Sequence, residues 1–365
     1  MAKEKKVFFF SAGVVVFLLY ILVAAQPVPP ETVLVNNWLK DLESDFNSEE
    51  EENDRPGGSF VIPFTLGGRF GYADAGGGLI LNKVRDKYIS ISEKYWSEYD
   101  PAPEEIVIQK TAGDGEIRIN PAKGYPVFLD GRIFIISKDQ CSLSELDEEG
   151  HTLWSYDFEA PLTSFDAAGG YVLAGTLDGM VELLNSDGKT VFPSYAPAAR
   201  ITVILGCRIS SDGSKLALVA GIDQQRFIFL ERYGDSDYRV TYHEFLKGQA
   251  FRREVHMAFI NNDSTVVFEQ EDGLGIFDVK TRTRTTLPLE GTIQALDDTG
   301  EDGLLFLVTA AKTGNVRKRL IVLSLPGKVL VNVPFTSENT FLARRGKKLF
   351  IGGGMTLASF SLDRM

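Results

Sequence analysis

From about residue 60 to the C-terminus, short apolar runs alternate with turns that carry Gly, Asp or Asn, and residues within each run alternate or stay apolar throughout. Helical periodicity is absent, and the β-branched and aromatic content of the runs predicts strands. Seven runs lead a repeating unit: residues 78–81, 132–136, 171–174, 215–219, 265–268, 304–308 and 348–351. Each is followed by a partner strand, at 87–92, 141–146, 180–184, 226–230, 274–279, 319–325 and 356–362. From Leu79 to Leu349 six intervals cover 270 residues, a mean of 45, which is the length of one four-stranded blade. The predicted fold class is therefore all-β, a seven-bladed β-propeller over residues 59–365.

Outer strands are expected at 151–158, 189–195, 238–245, 283–289 and 328–335, and inner ones at 164–166, 201–209, 256–260, 293–296 and 340–343. The seventh unit stops at Leu362 with three strands. Residues 59–66, in which Phe60, Ile62, Phe64 and Leu66 alternate with other residues, are expected to supply the missing outer strand and close the ring, which removes free sheet edges.

The first 58 residues follow other rules. Residues 1–6 are a basic cytoplasmic stub, and residues 7–25 form an uncharged apolar run of nineteen residues, about 28 Å long as a helix and enough to span a bilayer. Lys3, Lys5 and Lys6 precede it and no basic residue follows before Lys40, so the positive-inside rule puts the body across the membrane. A retained anchor is the expectation; cleavage after the small residues Val23, Ala24 and Ala25 is the competing reading, and both export the body. No cysteine near the segment offers a lipoprotein anchor. Residues 26–58 read as a linker, Pro-rich and then acidic, with eight acids among the fourteen residues from Asp41 to Asp54. Within it Val33, Leu34, Val35, Trp38, Leu39 and Leu42 could form a short amphipathic helix on the membrane or a transient helix in the tether.

Composition narrows the function. The formal net charge of -12 argues against a nucleic-acid binder, since phosphate binding needs an excess of Lys and Arg. Residues 1–58 contribute -5 of that charge, from five basic and ten acidic side chains, so the body is only mildly acidic. Cys141 and Cys207 are expected as small buried residues in non-adjacent blades, unbonded to each other. His151, His243 and His256 lack metal-ligand spacing, and Gly76–Gly78 and 352–354 precede no helix, so they read as turns rather than phosphate loops. Asp130, Asp166, Asp187, Asp212, Asp263 and Asp302 read as turn residues whose carboxylates bond the following backbone. No catalytic, metal or cofactor site is expected.

The stretch Leu146-Asp-Glu-Glu-Gly-His-Thr-Leu-Trp154 resembles the Gly-x-x-Leu-Trp signature of quinoprotein-like (PQQ-like) repeats, and Ser211-Asp-Gly-Ser-Lys-Leu-Ala-Leu218 is similar to WD40-like and TolB-type blades. The resemblance covers about 300 residues at superfamily level. It implies the fold and a scaffold-like role, and raises a quinone-dependent dehydrogenase only to set it aside: those enzymes carry the Trp signature in most blades, this chain in one.

The reading is a non-catalytic, membrane-tethered propeller on the periplasmic side of a bacterial inner membrane, binding another membrane-associated or periplasmic protein. A small-ligand sensor or carrier using the central channel is the alternative. Chain direction places the tether on a rim collecting Asp74, Asp130, Asp147, Glu148, Glu149, Asp166, Asp187, Asp235, Asp237, Asp263, Asp297, Asp298, Glu301 and Asp302, with Arg344, Arg345, Lys347 and Lys348 as the main exception. The opposite rim, with Arg252, Arg253, Lys312, Arg317 and Lys318, is the expected protein-docking face.

Overall fold

A computed structural model describes residues 13–20, 32–43, 60–111, 115–195, 202–234, 237–248, 251–297, 299, 302–314 and 316–364. Its strands form eight antiparallel sheets, not seven. In chain order they are blade 1 (61–84), blade 2 (88–119), blade 3 (124–157), blade 4 (162–195), blade 5 (204–245), blade 6 (257–288), blade 7 (292–336) and blade 8, which joins 340–364 to Thr32–Asp41.

The extra blade lies where the repeat count was widest, in the 54 residues from Leu79 to Ile133. The run at 78–81 is the third strand of blade 1 (Leu79–Val84), and the run at 87–92 is the first of blade 2 (Tyr88–Ile91). Those two therefore belong to different sheets. Blade 2 escapes the repeat pattern because Tyr95–Tyr99 mixes aromatic and polar residues and is joined to Ile106–Lys110 by a Pro-containing loop rather than a Gly or Asn turn.

Ring closure also differs from expectation. The outer strand of blade 8 is Thr32–Asp41, which pairs antiparallel with Thr356–Arg364 from Thr32 opposite Arg364 to Asp41 opposite Thr356. The register shifts by one residue between Asn36 and Trp38, which puts side chains four apart across the shift on opposite faces. Leu34 packs toward blade 7 with Val331 and Leu330, whereas Trp38 and Leu42 pack toward blade 1 with Phe64, Leu66 and Leu357. Part of the segment read as a linker is thus a sheet strand. Residues 59–66 instead contain the innermost strand of blade 1, Val61–Leu66, with Ile62, Phe64 and Leu66 buried.

Among the described residues blade 1 has three strands where every other sheet has four, and an odd count forces a reversal of chain direction. Its first turn sits beside the turn between the second and third strands of blade 8: a Cβ on Gly67 would lie 2.4 Å from the Gly354 carbonyl oxygen. Its second turn meets the opposite side of blade 8, where Lys348 Nζ donates to the Ala75 carbonyl at 3.2 Å. The inner strand of blade 1 therefore runs against the other inner strands, and three strands later the chain enters blade 2 in the common direction.

Apolar side chains form layers between successive blades rather than one central core. Phe134, Trp154 and Val172 join blades 3 and 4; Leu173, Ile204 and Ile228 join blades 4 and 5; Phe227, Phe229, Phe268 and Phe277 join blades 5 and 6. Such face-to-face packing makes each blade depend on its neighbours. Outer strands carry Pro193, Pro288 and Pro334. At Pro334 the reason is visible: Ser337 N–H donates to Val316 C=O, and the antiparallel alternation then points the nitrogen of residue 334 to solvent, where no donor is needed.

Residues 13–20 are helical, with Val14 to Tyr20 exposed. No helix among the described residues is long and apolar enough to cross a membrane; the remainder of 7–25, and residues 44–59, lie outside the described residues.

Candidate functional site

Two rims bound the ring. One, the near rim, collects in blades 2 to 8 the turns between first and second and between third and fourth strands, and in the reversed blade 1 the turn between second and third; the closing strand starts on it at Thr32, opposite Arg364. The other, the far rim, collects the remaining turns and the connections between blades. Attachment of the N-terminal segment to the acidic rim thus follows from Thr32–Asp41 rather than from residues 59–66.

On the near rim the carboxylates mostly serve the backbone. Asp74 accepts from the Gly76 and Gly78 N–H groups, and Asp147 from those of Glu149 and His151. Asp263 accepts from Ser211 N–H at 2.9 Å, tying blades 5 and 6. Arg344, 4% exposed, sits between Asp297 and Asp302. This is the turn chemistry expected of short acidic side chains. Asp235, Asp298 and Glu301 lie outside the described residues.

The far rim is mixed in charge, and its five candidate cations are not equivalent. Arg253 forms a bidentate pair with Glu269, at 2.9 and 3.0 Å, and stacks over Phe251; Glu269 is only 1% exposed. The pair pins the connection between blades 5 and 6 and leaves Arg253 little freedom to meet a partner. His256 lies beneath it, held below the usual imidazole range by burial, with Glu269 opposing the shift. Lys318 is 3% exposed and donates to the Glu338 carbonyl at 2.9 Å, and burial lowers its ammonium below the ordinary lysine range. Arg252, Lys312 and Arg317 are exposed and meet no acid among the described residues.

Lys312 and Arg317 border a groove of about 640 Å³ on blade 7 that also takes in Glu290, Arg319, Pro334 and Phe335. Alternation along Arg317–Ser324 explains why three consecutive basic residues do not act together. Arg317 and Arg319 share one face, and Arg319 is 3.4 Å from Glu290; Lys318 turns the other way, toward blade 8. Period two was the signal in the sequence that separates them. Glu290 and Phe335 reach the groove from other strands and carry no local mark.

The two cysteines are unbonded. Cys207 is buried on an inner strand, its thiol pushed up to about 12 by burial against the pull of Arg208, whereas Cys141 is half-buried in a far-rim turn rather than buried as expected. A thiol-alkylating reagent at mildly alkaline pH should therefore add one label to the native chain, at Cys141, and a second only after denaturation. Two labels in the native state, by intact mass, would contradict this burial.

Over 364 residues, 99% of this chain and 95% of its own length, a protein of Treponema pallidum (strain Nichols) described only as uncharacterized is 26% identical. Among solved structures, BamB from Moraxella catarrhalis is similar with a TM-score of 0.59 and 12% identity, over 90% of this chain and all of that one. The computationally designed Ika8 protein is similar with a TM-score of 0.61 and 14% identity, over 82% and 93%. At such identities the structural likeness speaks for the fold. The family model described as β-propeller protein matches residues 1–365, and the chain belongs to that family.

Proposed function

We propose that this protein is a non-catalytic scaffold, tethered by residues 7–25 to a bacterial inner membrane with its propeller in the periplasm, that binds another protein through the far rim. The observation that carries this reading is the opposition of two features: the chain enters at Thr32 on the near rim, while Arg252, Lys312 and Arg317 open on the far rim without an acid partner among the described residues. A tether on one rim favours contact through the other. The apolar, exposed side chains of Val14 to Tyr20 suit a segment whose surroundings are lipid. Turns on a rigid ring can vary without disturbing the inter-blade layers, which suits a binding platform.

The test is charge reversal. Arg252→Glu, Lys312→Glu and Arg317→Glu together should abolish stoichiometric capture of a protein from crosslinked membranes. Each surface change should move stability by no more than about 0.5 kcal/mol, so the unfolding midpoint should hardly shift. Undiminished capture, or loss only when Asp147, Glu148 and Asp187 on the near rim are reversed instead, would rule out this docking face.

A further inference from the structure

Among the described residues blade 1 is one strand short, and Leu79–Val84 is its outermost strand. Arg85 N–H donates to the Gly68 carbonyl, and Val84 stands opposite Arg69. Antiparallel alternation then directs the backbone groups of Leu81 and Lys83 inward to the neighbouring strand and those of Asn82 and Val84 outward. Among the described residues no backbone group bonds to them.

Exposed edges are ordinarily guarded by a bulge or by lysines that project across them. Here the bulge lies toward the other end of the strand, between the pairs Ala73 with Leu79 and Tyr72 with Leu81. Lys83 is turned onto blade 2, 4.8 Å from the centre of the Trp96 ring and 3.5 Å from Glu98, and Lys87 is paired with Asp100 at 2.9 Å. Neither guards the open pair. The Asn82 side chain, 2% exposed, donates to the Leu42 carbonyl at 2.9 Å and fixes the edge against the closing strand. Beside it Ile80 and Val84 are 40% and 55% exposed, and Arg85 is exposed with no acid partner among the described residues.

We propose that blade 1 accepts a fourth strand from a partner protein: an extended segment, apolar at alternate positions, with a carboxylate that meets Arg85. Main-chain bonds to Asn82 and Val84 would supply affinity, and Val84 and Arg85 would supply selectivity. This surface is separate from the groove on blade 7, and the proposal does not depend on the far-rim reading.

A displayed library of random ten-residue peptides, selected on the full chain in detergent, tests it. Alternating apolar sequences with an acidic residue should be enriched, and the synthetic form of the best should slow amide exchange at Asn82 and Val84 by about tenfold or more, as a main-chain bond predicts. Val84→Pro removes only an outward donor and leaves the ladder to the neighbouring strand intact, so it should abolish binding; Val84→Thr should retain it. The same peptide N-methylated at alternate residues should bind at least about tenfold more weakly to the unaltered protein, a comparison that needs no variant to fold. No such enrichment, equal binding by Val84→Pro and the N-methylated peptide, or amides of Asn82 and Val84 already protected in the free protein would each overturn the proposal, the last because the edge is then filled from within the chain.

Discussion

A chain shortened to begin at residue 44 is expected to aggregate, whereas one beginning at residue 32 is expected to stay monomeric and unfold cooperatively. The difference is the strand Thr32–Asp41 and Leu42 behind it. That strand pairs along the whole of Thr356–Arg364. Trp38 packs at 5.9 Å from Phe350 and donates to the Ala75 carbonyl, and the Leu42 backbone holds Asn82 of blade 1. Leu42 is fully buried, and its truncation to Ala alone should cost about 2–5 kcal/mol. Loss of the whole strand removes that layer, a ladder and the cover of the last blade, against a total stability of about 5–15 kcal/mol. It also leaves Thr356–Arg364 as a free edge. Size-exclusion chromatography with thermal unfolding reads the result; equal solubility and midpoints for the two chains would refute closure by Thr32–Asp41.

Glu145→Ala should destabilise the ring by about 3–5 kcal/mol, because it strips a largely buried cation, 16% exposed, of its partner. Glu145 is 7% exposed and receives three bonds: from Arg132 Nε at 2.8 Å, from Arg132 Nη2 at 2.5 Å and from Trp154 Nε1 at 2.7 Å. Arg132 also donates to the Tyr171 carbonyl of blade 4, at 3.1 Å, and lies over Phe134. With the carboxylate gone, the guanidinium and the indole N–H stay buried without their acceptor. Replacing both ions, Arg132→Met with Glu145→Met, should recover most of the loss, since apolar residues of similar volume often substitute for a buried pair at little cost. A double-mutant cycle in chemical denaturation measures this; a double variant as unstable as the sum of its parts would show that packing around Arg132, rather than its charge, sets the cost.

How far the sequence reaches can be judged at these same residues. In blades 3 to 8 the strand that leads each repeating unit, the second of its blade, stands where period two and the Gly, Asp and Asn turns put it, as at Arg132–Ser137 and Lys348–Gly353. Local rules suffice there because each turn residue acts on its own backbone. Leu146 and Trp154 likewise stand on the predicted strands, but nothing in that stretch announces that Glu145 is shared by the Trp154 indole and Arg132. The docking cations show the same limit: Arg317, Lys318 and Arg319 are contiguous, yet only the neighbouring Glu290 and Glu338 decide which of them is left to solvent.

The sequence by itself determined that this is a ring of antiparallel blades, since alternation and turn chemistry are properties of a few adjacent residues. Only the tertiary structure decided the blade count and the closure. Leu34, Trp38 and Leu42 recur every four residues, a spacing shared by a helix face and by one face of a strand; the register shift near Asn37 then sends Leu34 to blade 7 and Trp38 and Leu42 to blade 1. Which period applies depends on whether an edge is waiting, and the edge belongs to Thr356–Arg364, more than three hundred residues away. Blade 1 carries three strands rather than four because the neighbours of Val61–Leu66 and Leu79–Val84 are set by the ring they complete and not by the residues beside them.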